Sequence, residues 1–167
     1  MFAVKRALKL NNNEATLMAK HEGWRRVVFN LGLSLRTQMY SEGRLSDSRA
    51  IGEVKKVLTN HLKKQAEFAW MNQLSSRVYQ NALIDLKDAF SRYRSGKAGH
   101  PKFASRRNGQ SFTVDSSNGK VLLSAGNTIK IPTLGTFRLH EPLECSFGSQ
   151  TFTISKEGSR WESFILC

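Results

Sequence analysis

The period of the apolar residues changes once along this chain, and that change constrains the fold more than any single motif does. Leu17, His21, Trp24, Val28, Leu31 and Leu35 follow one another at steps of four, three, four, three and four. Ile51, Val54, Leu58 and Leu62 keep the same rhythm, and so do Tyr79, Ala82, Leu86, Phe90 and Tyr93. A 3.6-residue period lines one face of a helix, so three amphipathic helices are expected. Lys20, Arg25, Arg26 and Arg36 fall off the first stripe, and Lys55, Lys56, Lys63 and Lys64 surround the second. From Gln110 the period drops to two, in apolar runs at 111–114, 121–123, 128–131, 136–139, 151–154 and 161–166. Asn118-Gly119, Gly126-Asn127, Leu134-Gly135 and Glu157-Gly158 fall between runs, where hairpins need residues that tolerate positive φ.

Residues 2–10 alternate apolar and cationic side chains as a half-exposed strand would, and Asn11 followed by Glu14 has the spacing of a helix N-cap. The expected class is therefore α+β: one strand, three inserted helices, then a small barrel or sandwich of short strands. The expected boundaries are 1–10 for the first strand, 11–95 for the helical part, and 96–167 for a basic connector and the remaining strands.

The connector is the densest cationic segment. Residues 92–112 contain six Lys or Arg, three Gly and three aromatics without one acid. The formal charge of the chain is +13. Residues 1–107 hold 21 Lys or Arg against 8 acids, whereas residues 108–167 hold five of each. An excess of that size, unevenly placed, attracts a polyanion. Phe103 and Phe112 beside Lys102, Arg106 and Arg107 offer flat faces for bases while cations hold phosphates. The alternative is a solvated basic loop whose aromatics enter a nearby core. Among single residues, Arg25 and Arg26 flank a buried stripe, His100 is wedged between Gly99 and Pro101, and Trp24, Trp70 and His21 are read as core.

Other chemistries find little support. No apolar run approaches the roughly 20 residues that span a bilayer, and the first residues lack the apolar segment of a secretory signal, so a cytoplasmic, nucleoid-associated setting is expected. Cys145 and Cys167 make no disulfide or zinc pattern, and Cys145 is read as a core or loop residue. The four His lack ligand spacing. Asp85 and Asp88 sit at i,i+3 beside Lys87 and Arg92 as surface pairs rather than a catalytic dyad, and the Gly-rich stretch lacks a phosphate-loop ending. No cofactor and no catalytic residue is expected in this chain.

The order of motifs is similar to a known family. It comprises a first strand bearing Lys5, then Trp24-Arg25-Arg26-Val27-Val28-Phe29-Asn30, and an aromatic break at Phe68-Ala69-Trp70. A helix ending Ala89-Phe90 follows, then Gly99-His100-Pro101-Lys102-Phe103, Gln110-Ser111-Phe112, Ile129 to Gly135 and Ser155 to Trp161. These resemble the N-terminal part of TnpB, also called OrfB, the transposon-encoded RNA-guided DNA endonucleases similar to type V CRISPR effectors. The resemblance implies a wedge domain, an oligonucleotide-fold-like β-barrel interrupted after its first strand by a three-helix recognition domain. It also implies guide RNA and target DNA as partners, with sequence read by base pairing and the protein gripping backbone. Catalysis would belong to a downstream RuvC nuclease with two metal ions and a four-cysteine zinc site, both expected only beyond this chain. Glu162 and Ala104 depart from the family pattern, at an apolar and a cationic position respectively. A truncated or decayed copy is one expectation, and a separate helix-turn-helix regulator the alternative. The expected contacts are Lys5, Arg25, Arg26, Arg94, Lys97, His100, Lys102, Phe103, Arg106 and Arg107; the oligomeric state stays open.

Overall fold

The computed structural model describes residues 3–42, 47–116 and 118–166, apart from the side chains of residues 47, 48, 145, 147 and 166. Mixed helix and sheet result, as the change of period requires. Strand β1 (Ala3–Lys9) precedes helices α1 (Asn12–Ser41), α2 (Asp47–Asn60) and α3 (Ser76–Arg94), with 3-10 turns at Leu62–Lys64 and Ala66–Gln73. Strands β2 (Gln110–Asp115), β3 (Leu122–Ile131), β4 (Gly135–Ser149), β5 (Thr151–Glu157) and β6 (Arg160–Leu166) follow. Two compact units form: Met1–Gly23 with Ser105–Cys167, and Trp24–Ala104, so their boundary falls inside α1. Among the described residues no helix is long and apolar enough to cross a membrane.

The strands form one antiparallel sheet, ordered β2-β5-β6-β1-β4-β3, which curls into a half-barrel. The N-terminal strand is thus central. Ala3 to Ala7 pair with β6, and Leu8 and Lys9 pair with β4, so β1 passes the ladder from one part of the sheet to the other. Alternation places Val4 and Leu8 of β1, Phe112 and Val114 of β2, and Phe152 and Ile154 of β5 in the core. Trp161 and Ile165 of β6 join them.

Two expectations fail on β3 and β4. Gly126-Asn127 is no hairpin: it lies inside β3, where the register with β4 shifts on both sides of Gly126. Gly126 adopts φ 61°, a left-handed conformation that a side chain would strain. Buried positions change parity across it, from Ser124 to Ile129 and Ile131, because an irregular residue flips every later side chain to the other face. Residues 122–131 are therefore one strand that takes in most of the first run and all of the second. β4 likewise extends well past the expected end at residue 139, and its Leu143 is buried. The side chain of Cys145, on the same strand, lies outside the described residues, as does all of Cys167.

The start of α1 bears out its sequence signal. The Glu14 N–H donates to Asn11 Oδ1 at 2.8 Å, and the Asn11 N–H donates to Glu14 Oε2 at 2.9 Å, a reciprocal cap. His21, two turns on, is buried, with its ring 5.6 Å from that of Phe112. Its Nδ1–H donates to the Leu17 carbonyl at 2.8 Å. Burial holds its pKa below the usual 6.5, and the Leu17 hydrogen bond opposes this only in part. Phe112 is 2% exposed and packs on Trp161, so it is core and unavailable for base stacking.

In the helical unit, Trp24 of α1 is fully buried, edge-on to Tyr79 of α3 and to Trp70. Ala50, Val54 and Leu58 of α2 and Ala82, Leu83 and Leu86 of α3 complete the packing. Trp70 itself is 41% exposed, a rim residue rather than the expected core anchor. The first-helix stripe also shifts: His21, Trp24 and Val28 are buried, but Leu31 and Leu35 are only half-buried. Gly32 causes the shift. A Cβ there would stand 2.8 Å from Leu86 Cδ2 and 3.4 Å from Leu83 Cδ2, so α3 packs on bare backbone. Phe29, Leu33 and Arg36 then line the buried edge. Arg36, expected to face solvent, is 7% exposed with its guanidinium 3.5 Å from the Phe90 ring centroid.

Two outcomes are expected. Gly32→Val overpacks the contact with Leu86 and should cost about 1–3 kcal/mol in urea unfolding. The unfolded chain takes up a proton on His21 near pH 6.5, and the folded chain only at lower pH. The stability that His21 contributes is therefore complete above pH 6.5 and is lost as the pH falls below it. Thermal melts between pH 7 and 5 should show this loss, and His21→Phe should flatten it.

Candidate nucleic-acid interface

The connector is an ordered path built from local rules. Helix α3 ends at Ser95, after which Gly96 takes φ 71°. The Gly96 N–H donates to the Tyr93 carbonyl at 3.1 Å, and the Lys97 N–H donates to the Arg92 carbonyl at 2.9 Å. That pair is a Schellman cap, for which glycine is the residue without steric cost. Gly96 thus turns the chain; it does not open the backbone to a ligand. Arg92 and Arg94 lie in the last turn of α3, where cations complement the helix dipole.

His100 then packs edge-on against Phe90 and Tyr93, at centroid distances of 5.5 and 5.1 Å. Tyr93 is 42% exposed, so it serves as a platform for His100 rather than as the core position its spacing indicated. Two residues past Lys102 the chain is clasped. The Ala104 N–H donates to Asn30 Oδ1 at 2.7 Å, and Asn30 Nδ2 donates to the Ala104 carbonyl at 3.0 Å. The Ala104 methyl packs on Phe29, Leu33, Leu86 and Phe90. A cation at this position would meet an apolar cluster, which gives the departure at Ala104 a physical reason.

Between the connector and the second half of α1 lies a groove of about 590 Å³. Leu33 and the α1 residues Ser34, Thr37, Gln38 and Ser41 form one side. His100, Pro101, Lys102 and Phe103 form the other, and Phe103 is 60% exposed.

The ten expected contacts separate into groups. His100, Lys102 and Phe103 meet at the groove, with Arg94 and Lys97 exposed at the helix end that precedes it. Arg106 and Arg107 are exposed in a 3-10 turn (Arg106–Asn108) of the sheet unit. No acid among the described residues pairs with Lys97, Lys102, Arg106 or Arg107. Arg25 pairs with Asp85 Oδ2 at 3.4 Å and lies over the Phe29 ring. Burial raises the Asp85 pKa, and Arg25 opposes that rise. Arg26 is half-buried with interactions of its own. Lys5 bridges Glu157 at 3.0 Å and Glu162 at 2.6 Å. Its pKa is raised, first by the Glu162 hydrogen bond and then by Glu157. Glu162, where the sequence departs from the family it resembles, is thereby a partner for β1. Asn30 and the Ser34 to Ser41 stripe carry no expected role in the sequence. The one signal was an asparagine inside a long helix, where that residue is disfavoured unless its amide is used elsewhere. Among the described residues no group of three His, Cys, Asp or Glu could hold a metal.

No protein-family model matches the chain. Aligned over 179 positions, the whole chain is 26% identical to a protein of Streptomyces pristinaespiralis described as "Putative RNA-guided DNA endonuclease". The chain spans 42% of that relative's length. The likeness is thus to a protein named for nuclease activity, and to less than half of it.

The clasp has a measurable consequence. Asn30→Ala leaves the Ala104 N–H and carbonyl without their partners and should cost about 1–3 kcal/mol. Amide hydrogen exchange at Ala104 should accelerate at least in proportion. Asn30→Asp should recover the bond from the Ala104 N–H but not the bond to its carbonyl.

Proposed function

We propose that this chain is the nucleic-acid-holding part of a TnpB-like, transposon-associated RNA-guided DNA endonuclease. In this reading the curled sheet is an oligonucleotide-fold-like wedge and the helical unit a recognition domain, together gripping guide RNA and target DNA by their backbones. One observation carries the proposal: Lys97, Lys102, Arg106 and Arg107 stand exposed on an acid-free connector with no acid paired to them among the described residues. Cations neutralised within a fold, such as Lys5 and Arg25, gain little from a phosphate; these four gain fully. The relative's name supports the assignment to RNA and DNA.

The mechanism is counterion release. Each phosphate neutralised on a single strand adds about 0.7 to the slope of log affinity against log salt. Replacing Lys97, Lys102, Arg106 and Arg107 together by Glu should lower that slope by about three and abolish RNA retention at moderate salt, with the circular dichroism spectrum unchanged. Unchanged retention would refute the assignment. The chain should not cut DNA with magnesium or manganese, since cutting belongs, in this reading, to a nuclease part beyond it.

A further inference from the structure

We infer that the groove between α1 and the connector binds an unpaired, amino-bearing nucleobase of single-stranded RNA, stacked on Phe103. This rests on the nucleic-acid reading above and adds to it a contact with a base rather than with the backbone. Phe103 presents 60% of its surface to solvent inside the most cationic segment of the chain. Its backbone lies between Pro101 and the Asn30 clasp, so a stacking partner would have little backbone to order. A groove of about 590 Å³ with an apolar floor at Leu33 lies within the range of small-ligand sites. Lys102 lines the same groove and brings a cation to it.

The wall facing Phe103 is uncharged, polar and richer in acceptors than in donors. Ser34, Thr37, Gln38 and Ser41 recur at helical spacing as an uncharged polar stripe. Thr37 Oγ1 already donates its hydrogen to the Leu33 carbonyl at 2.8 Å, and Ser41 Oγ donates to the Gln38 carbonyl at 2.7 Å. Gln38 Nε2 donates to Glu42 at 3.3 Å. The His100 Nδ1–H donates to the Pro101 carbonyl at 2.9 Å. With these hydrogens used inside the protein, the acceptors outnumber the donors that remain, which are the Ser34 hydroxyl and the second Gln38 N–H. These acceptors suit the exocyclic amines of adenine and cytosine and a ribose 2′-OH, all of which donate. Uracil brings no amine, and DNA no 2′-OH.

The test titrates the full chain with fluorescent oligoadenylate, oligouridylate and oligodeoxyadenylate at one fixed salt concentration. Oligoadenylate should bind tightest. Phe103→Ala, at an exposed position where folding is not at risk, should weaken it about tenfold, Phe103→Trp should restore it, and Thr37→Val should erode the preference over oligouridylate. A 2-aminopurine placed in the oligoadenylate should be quenched by the parent chain and not by Phe103→Ala. If Phe103→Ala binds like the parent while the four-Glu variant loses binding, the groove is wrong and the backbone grip stands. Equal binding of oligodeoxyadenylate and oligoadenylate would overturn the choice of RNA. Absence of binding by the parent chain to all three would overturn the nucleic-acid reading with it.

Discussion

The sheet depends on a strand that the chain makes first and uses in the middle. β1 donates and accepts on both edges, to β6 along Ala3 to Ala7 and to β4 at Leu8 and Lys9. Without it the strands of the last 60 residues would fall into two groups, β2-β5-β6 and β4-β3, with open edges between them. A contact of this sequence separation costs loop-closure entropy, but that cost grows only with the logarithm of the loop length. A long helical insertion between β1 and β2 is therefore tolerated. Register is held by the pleat, since a slip of one residue would turn Val4 and Leu8 outward and Lys5 inward. Lys5 adds a polar constraint on the same register through Glu157 and Glu162.

The connector shows how a loop is made firm enough to present side chains. A glycine-capped helix end, a proline, and a side-chain amide that pairs with both polar groups of one peptide unit act in sequence over fewer than ten residues. Ordering that backbone in the free protein removes an entropy cost that a ligand would otherwise meet on binding. It also makes the exposure of Phe103 and of the nearby cations a property of the fold rather than of a fluctuating tail. Charges elsewhere have different fates. Arg25, Arg36 and Lys5 are cationic by sequence, yet each is drawn into an ion pair or onto an aromatic face inside its own unit.

Much of this could be read without coordinates. The capping pair Asn11 and Glu14, the core parity of β1, β2, β5 and β6, and the burial of Trp24 and His21 all follow from local patterns that tertiary contacts had no cause to override. The failures are of two kinds. Gly32 carries no hydrophobic signal, so the apolar stripe of the sequence runs through Leu31 and Leu35, whereas the close approach of α3 centres on the glycine. Gly126 carries a strong turn signal, but its left-handed conformation is used within a strand, because a register shift and a hairpin ask the same of a backbone. The grouping of contacts had the same limit. The sequence marked Lys102 and Phe103, and the groove they share with Thr37 and Gln38 is formed by residues more than sixty positions away.

What the amino-acid order alone determined is the class of each segment and the placement of charge. Helical and strand periods are local properties of successive side chains, and an acid-free cationic run stays so in any fold. Which cations remain available to a phosphate, which aromatic stays outside and which asparagine secures the connector were decided only by tertiary structure. Each of those outcomes depends on a partner distant in sequence: Asp85 for Arg25, Phe90 for Arg36, Trp161 for Phe112 and Ala104 for Asn30. Pair interactions of that kind fall off within a few ångströms, so they exist only once packing has brought the two residues together.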